Sequence, residues 1–233
     1  MIRLKFVLLA LCSISAMAAS SSLVRLEKFN PTVRQDQTTL VRGGKFFAKR
    51  CMSCHSLKLF TYDEIGELAG VTPEKMPKLD LSSWGGHPPP DLSLVTRYRG
   101  VDWLYTYLQS FYIDESQPLG VNNLVMPAAS MPNPFLDLQG EQVLSISKQE
   151  LLDIENSQEN LLPWYRLLKL KKQGNITHAE FNSQIESLVL FLEYVGEPSK
   201  AKRLATAPLV LLFLALFFVI MLMLKKDIWK NID

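Results

Sequence analysis

Residues 50–56 read RCMSCHS, and the C-x-x-C-H pattern of Cys51, Cys54 and His55 decides how the rest of the chain is read. The chain has 3 cysteines. The third, Cys12, falls in MIRLKFVLLALCSISAMA, where Arg3 and Lys5 precede an apolar run and small residues end in Ala16, Met17 and Ala18. That basic, apolar, A-x-A order is the pattern of a secretory signal peptide over 1–18, with cleavage expected after Ala18. Leu11 stands where a lipoprotein signal wants a small residue, so lipidation of Cys12 is not expected. Cleavage would leave Cys51 and Cys54 as the only thiols. It would also remove Arg3 and Lys5 and bring the 25 basic side chains level with the 23 acidic ones, a balance that gives no electrostatic case for nucleic acid.

An exported C-x-x-C has three ordinary meanings. A thioredoxin-like redox pair belongs with a βαβ unit, and the preceding LVRGGKFFAKR has no strand alternation. Half of a zinc site needs two further Cys or His ligands, and only His87 and His178 remain, without a matching pair spacing. Covalent attachment of haem c is what C-x-x-C-H signals directly. Two thiols near one helix turn form thioethers with the two haem vinyl groups, and His55 brings an imidazole beneath the iron. A helix carrying the motif is expected, capped by Thr38 or Thr39, with Phe46 and Phe47 facing the porphyrin or the core.

At the other end, Ala205 to Leu224 reads ATAPLVLLFLALFFVIMLML without a charge. As a helix this stretch spans about 30 Å, the hydrocarbon thickness of a bilayer. A transmembrane helix is expected over 204–224, with Pro208 in its first turn. One haem domain then occupies 19–203 and a short tail 225–233. Lys200, Lys202 and Arg203 precede the span and Lys225, Lys226 and Lys230 follow it, so the positive-inside count is tied. The signal breaks the tie: 19–203 is exported, the tail stays inside, and Trp229 sits at headgroup level.

Haem iron with a proximal histidine takes a methionine, takes a second histidine or keeps an open site, and methionine raises the reduction potential. Setting aside the signal and the membrane span leaves Met52, Met76, Met126 and Met131. Met52 lies inside the attachment loop, on the proximal side. Met126 and Met131 share VNNLVMPAASMPNPF, where Pro127, Pro132 and Pro134 resist helix and strand and can hold a thioether at low entropic cost. Spacing favours Met131 and leaves Met126, Met76 and a histidine open.

The signal, one CMSCH, PPPDLSLVTRYRG at 88–100, the SMPNPF loop, FLEYVGEP at 191–198 and a single terminal span together resemble cytochrome c1, in a bacterial form, over nearly the whole mature chain. The resemblance implies an all-α, cytochrome c-like haem domain with extended loops plus one C-terminal transmembrane helix. It puts the axial ligands on His55 and Met131, and a propionate-pairing arginine on Arg99, with Arg97 two residues earlier. Pro89, Pro90 and Asp91 would shape the haem wall, and Asp91 could cap the segment that follows. It further implies an electron-transfer subunit of a cytochrome bc1 complex, itself doing no bond chemistry. Cytochrome b and a Rieske iron–sulfur subunit would be its partners, a soluble or tethered cytochrome c its acceptor, and the bacterial inner membrane its place, haem domain in the periplasm.

The segment 139–174 reads as helical stretches without a motif. Its Glu141, Glu150, Asp153, Glu155 and Glu159 could form an acidic docking face for a basic partner. Three other functions share parts of the pattern. A free-standing anchored cytochrome c donating to a terminal oxidase would keep the haem ligands without stable partners. An open-site haem enzyme or gas sensor would lack the methionine ligand, and a thiol redox protein on a stalk would lack pigment.

Overall fold

In the computed structural model, which describes residues 23–77, 88–157 and 161–230, the chain is mostly helical. Helix α1 (Gln37–Arg50) carries the cysteine motif at its C-terminal end. Its cap is Asp36, two residues before Thr38 and three before Thr39, the two threonines expected for that role. The Asp36 carboxylate accepts from Thr39 N at 2.9 Å, which draws both threonines into the first turn. Helix α2 (Glu64–Ala69) and a 3₁₀ turn at Pro73–Lys75 follow. After the undescribed stretch come α3 (Val95–Tyr98) and α4 (Val101–Gln109).

The chain ends in two long helices. Helix α8 (His178–Gly196) opens on a reciprocal capping box between Thr177 and Glu180. It packs along α1, an approach that the Gly43-Gly44 pair makes possible. A Cβ on Gly43 would lie 1.9 Å from the Ser187 carbonyl oxygen of α8, and one on Gly44 would lie 2.5 Å from Ala69 of α2. Bare backbone on one face of α1 therefore lets α8 and α2 close over it. Phe47 fills the space between them, fully buried and in ring contact with Phe191 of α8.

The expected all-α architecture needs correction at two places. Strands β1 (Phe111–Ile113) and β2 (Val121–Asn123) form an antiparallel hairpin directly after α4. Helix α5 (Leu136–Gln139) leads into β3 (Gly140–Leu144), which pairs with β4 (Leu168–Gln173) across α6 (Lys148–Ser157) and α7 (Trp164–Leu167). The second pair crosses the stretch read as helical. LKLKKQ is too short and too polar to announce a strand, and its partner GEQVL lies more than twenty residues away.

Three of the five acids expected to form a docking face have local partners. Glu141 pairs with Lys172 at 3.7 Å, Glu150 accepts from the backbone and hydroxyl of Ser147 at the start of α6, and Asp153 accepts from Gln149. Glu155 lies on α6, and Glu159 lies outside the described residues. Beside them β4 exposes Lys169, Lys171 and Lys172.

Helix α9 (Lys200–Trp229) is the one described helix long and apolar enough to cross a membrane, with a mean hydropathy of 3.0 over its most apolar window. It starts earlier than the expected span because two ion pairs stitch its first turn to the end of α8. Lys200 meets Glu193, and Arg203 meets Glu197. Pro208 therefore lies inside the helix rather than in its first turn. The signal peptide expected at 1–18 lies outside the described residues.

Candidate haem-attachment site

The site begins where α1 unwinds. Cys51 caps the helix through its N–H to the Phe47 carbonyl, and the His55 N–H returns to the Cys51 carbonyl at 2.8 Å. This single turn gathers Cys51, Cys54 and His55 within the C-terminal cap of one helix. Both cysteines are free thiols. Burial pushes the Cys51 thiol up to about 12, with the neighbouring Cys54 adding to it against Arg50. A thiol so reluctant to ionise is a poor redox nucleophile, which disfavours the thioredoxin-like reading.

His55 is buried, and its Nδ1 lies 2.8 Å from the Pro90 carbonyl oxygen. A carbonyl only accepts, so Nδ1 carries the proton and the Nε2 lone pair is left for a ligand. Burial pushes the imidazole below its usual range, against the opposing pull of the Pro90 carbonyl and the Asp91 charge, and so favours the neutral form that binds metals. Asp91 does not cap α3, as the sequence suggested. It accepts from Ser56 Oγ and Lys58 N, each at 2.7 Å, and from Ser93 N at 2.9 Å, tying the strand of chain after the motif to the PPPDLS segment. Burial raises the Asp91 carboxyl, and these bonds outweigh it and hold the group below its ordinary value. Pro90 thus enters the site through its carbonyl oxygen.

The two candidate methionines differ in setting. Met126 is 43% exposed, whereas Met131 packs against the core and its Sδ accepts from Tyr107 Oη at 3.3 Å. Burial keeps the Tyr107 hydroxyl protonated far above neutral pH, so it remains a donor. Tyr107 stacks on Trp103 one turn back along α4, with ring centroids 4.9 Å apart, and the Arg99 guanidinium lies over the Trp103 ring at 5.1 Å. Neither tyrosine nor tryptophan was singled out by sequence reasoning. The W-x-x-x-Y spacing that lines up Trp103 and Tyr107 on one face of α4, with Arg99 four residues earlier, was the available signal.

Arg97 is engaged elsewhere, in an ion pair with Glu197 at the joint between α8 and α9. Arg99 makes no ion pair among the described residues. Met52 and Met76 pack partly buried against the core, His178 is exposed and bonded to Asn182, and His87 lies outside the described residues.

The donor set suits haem c. It offers two free thiols and a neutral imidazole with an open Nε2. It adds a thioether held against the core, and an unpaired arginine beside the buried Trp103 Nε1, which has no hydrogen-bond partner. An orphaned buried N–H costs about 1–3 kcal/mol unless something accepts from it. An acidic group such as a haem propionate would satisfy it.

A mostly helical domain with a helix-borne C-x-x-C-H and one candidate C-terminal membrane helix fits a c-type haem domain with a single-pass anchor. The comparisons with known proteins make the class particular. A cytochrome c1 from Allochromatium vinosum is 34% identical over 94% of this chain and 94% of its own. An ammonia monooxygenase gamma subunit from Nitrosomonas europaea is 34% identical over 98% of each chain. A cytochrome c1 from Rhodospirillum rubrum is 24% identical over 85% of this chain and 84% of its own. No protein-family model matches. The chain belongs to the cytochrome c1 family.

Proposed function

We propose that this chain is the cytochrome c1 subunit of a bacterial cytochrome bc1 complex, an electron-transfer subunit that does no bond chemistry of its own. One haem c would be held covalently by Cys51 and Cys54, with His55 and Met131 to bind its iron and Arg99 to meet its propionates. When bound, that group supplies one-electron redox chemistry at its iron. The domain would accept an electron from a Rieske iron–sulfur subunit and hand it to a soluble or tethered cytochrome c, with cytochrome b as its membrane partner. The observation that carries the reading is the protonated Nδ1 of His55 on the Pro90 carbonyl, which leaves Nε2 open one residue after Cys54.

The chain's own residues have separable tasks. Pro90 and Asp91 orient the imidazole, Tyr107 orients the thioether, and the aromatic wall of Trp103 and Tyr107 excludes water. Helix α9 would hold this assembly at the outer face of the inner membrane, with 225–233 inside.

The test is a pyridine haemochrome spectrum of the denatured membrane protein, then the weak far-red band of the ferric protein that marks methionine on iron. Covalent haem with that band, in a preparation that contains cytochrome b and an iron–sulfur protein, is the expected result. Covalent haem without those partners would favour a free-standing anchored cytochrome. Recovery with the subunits of a monooxygenase would favour the role named by the Nitrosomonas relative. Loss of haem on denaturation would end the attachment reading.

A further inference from the structure

The loop that carries Met131 has no regular secondary structure between β2 and α5, yet its far end is tied to the helix that carries the cysteine motif. Arg50, the last residue of α1 and the neighbour of Cys51, reaches it with a two-pronged guanidinium. Nη1 and Nη2 donate to the two Asp137 carboxylate oxygens at 2.9 and 2.8 Å, and Nη1 also points to the Pro134 carbonyl at 3.4 Å. One turn earlier on α1, the Phe46 ring stacks on Phe135 at 5.6 Å, nearly parallel. Asn133 accepts from the Phe135 N–H at 2.9 Å and fixes the turn between Met131 and that stack.

We infer that Arg50 and Asp137 form a clamp that positions Met131 relative to the attachment helix, so that the two ends of the haem site are locked to each other through protein. The inference rests on the proposal that Met131 is the axial methionine. An ordinary surface ion pair contributes little, but this one differs in two respects. The Arg50 side chain is only 19% exposed, and its Nε is buried without a partner. Asp137, itself half exposed, supplies the charge compensation for a largely covered cation, in the bidentate geometry that fixes direction as well as distance. Asp137 in turn is held below the usual carboxylate range, chiefly by the Arg50 hydrogen bonds. The clamp sits only a few residues from Met131 and ties the far end of its loop to α1, in addition to the hold that Tyr107 has on the thioether itself. Arg50 and Asp137 touch no expected haem ligand and are positioning residues.

The experiment heats the full-length ferric protein in its solubilised membrane complex and follows two signals, the far-red methionine band and far-ultraviolet circular dichroism. In Arg50→Gln and in Asp137→Asn the band should fade at a lower temperature than in the parent. The global unfolding midpoint should move less, and haemochrome content should stay the same. The double variant should fade no earlier than either single one, because each substitution removes the same interaction. Asp137→Asn keeps the test open if a change beside Cys51 hinders haem attachment. A parent band that neither variant moves, or additive shifts in the double variant, overturns the clamp alone. Absence of the band from the parent overturns the Met131 assignment and the clamp with it.

Discussion

The segment around His55 and the loop around Met131 are held in different ways. The first is nearly self-contained: one helix end, one turn and a single neighbouring stretch, 88–93, provide its hydrogen bonds. The second draws on residues scattered over the chain. Asn123 is fully buried, donates to the Tyr107 carbonyl at 2.8 Å, and accepts from Ser110 Oγ, Val125 N and Met126 N. Asn122 accepts from Ala128 N and donates to Asp114, whose other oxygen meets Lys148 of α6. The prolines of the loop limit its conformations, but these side chains choose one of them. A side chain placed by covalent spacing needs little from the fold, and one on an irregular loop needs much.

The largest effect is expected where that contrast is absolute. Cys51→Ala with Cys54→Ala should leave a chain without covalent pigment, as measured by haem staining after denaturing electrophoresis. Pigment that survives in this variant would refute attachment at the motif. On the other side, Met131→Leu should abolish the far-red band and lower the reduction potential, while Met126→Leu, at an exposed side chain, should leave both nearly unchanged. The opposite pattern would move the ligand to Met126.

Smaller substitutions probe the supports rather than the ligands. Asn123→Ala strands several buried backbone and hydroxyl groups, each costing about 1–3 kcal/mol, so a total loss of about 3 kcal/mol in denaturant unfolding is expected. Asp91→Ala removes an acceptor from the buried Ser56 and Ser93 and from the exposed Lys58 N–H, fewer buried groups than Asn123 serves, and should cost less, about 2 kcal/mol. Equal losses would remove the distinction between the two regions.

The smallest expected effect is a matter of pH. Burial pushes the Asp114 carboxyl up, but the bonds from Lys148, Ser116 and Asn122 outweigh it and hold the group far below its usual value. A carboxyl depressed on folding contributes stability above its unfolded value of about 4, and that contribution disappears as pH falls through the folded value. Unfolding midpoints of the parent should therefore fall from about pH 5 downward. Asp114→Asn should start lower and fall less over the same range. Parallel acid limbs would show that Asp114 does not couple to the fold.

Much of the proximal side was legible because its signals are local. The C-x-x-C-H spacing, the helical run before it and the uncharged run of α9 are all read along the chain. What could not be read lies where neighbouring candidates are locally equivalent. Asp36, Thr38 and Thr39 are all good caps, and only the backbone geometry at Asp36 selects one. Arg97 and Arg99 look alike in TRYRG, but α3 turns the first toward Glu197 and the second over Trp103.

By itself, the sequence determined the C-x-x-C-H spacing, the membrane-length helix and the family, because covalent spacing, hydropathy and similarity to relatives are properties of the chain in order. Only the tertiary structure decided that Pro90 fixes the His55 tautomer, that Tyr107 holds Met131, that Asn122 and Asn123 brace the loop, and that Arg50 reaches Asp137. Those contacts include pairs up to 87 positions apart. They exist only with α1 and α4 packed on α8 around a shared core, which no short window of sequence can specify.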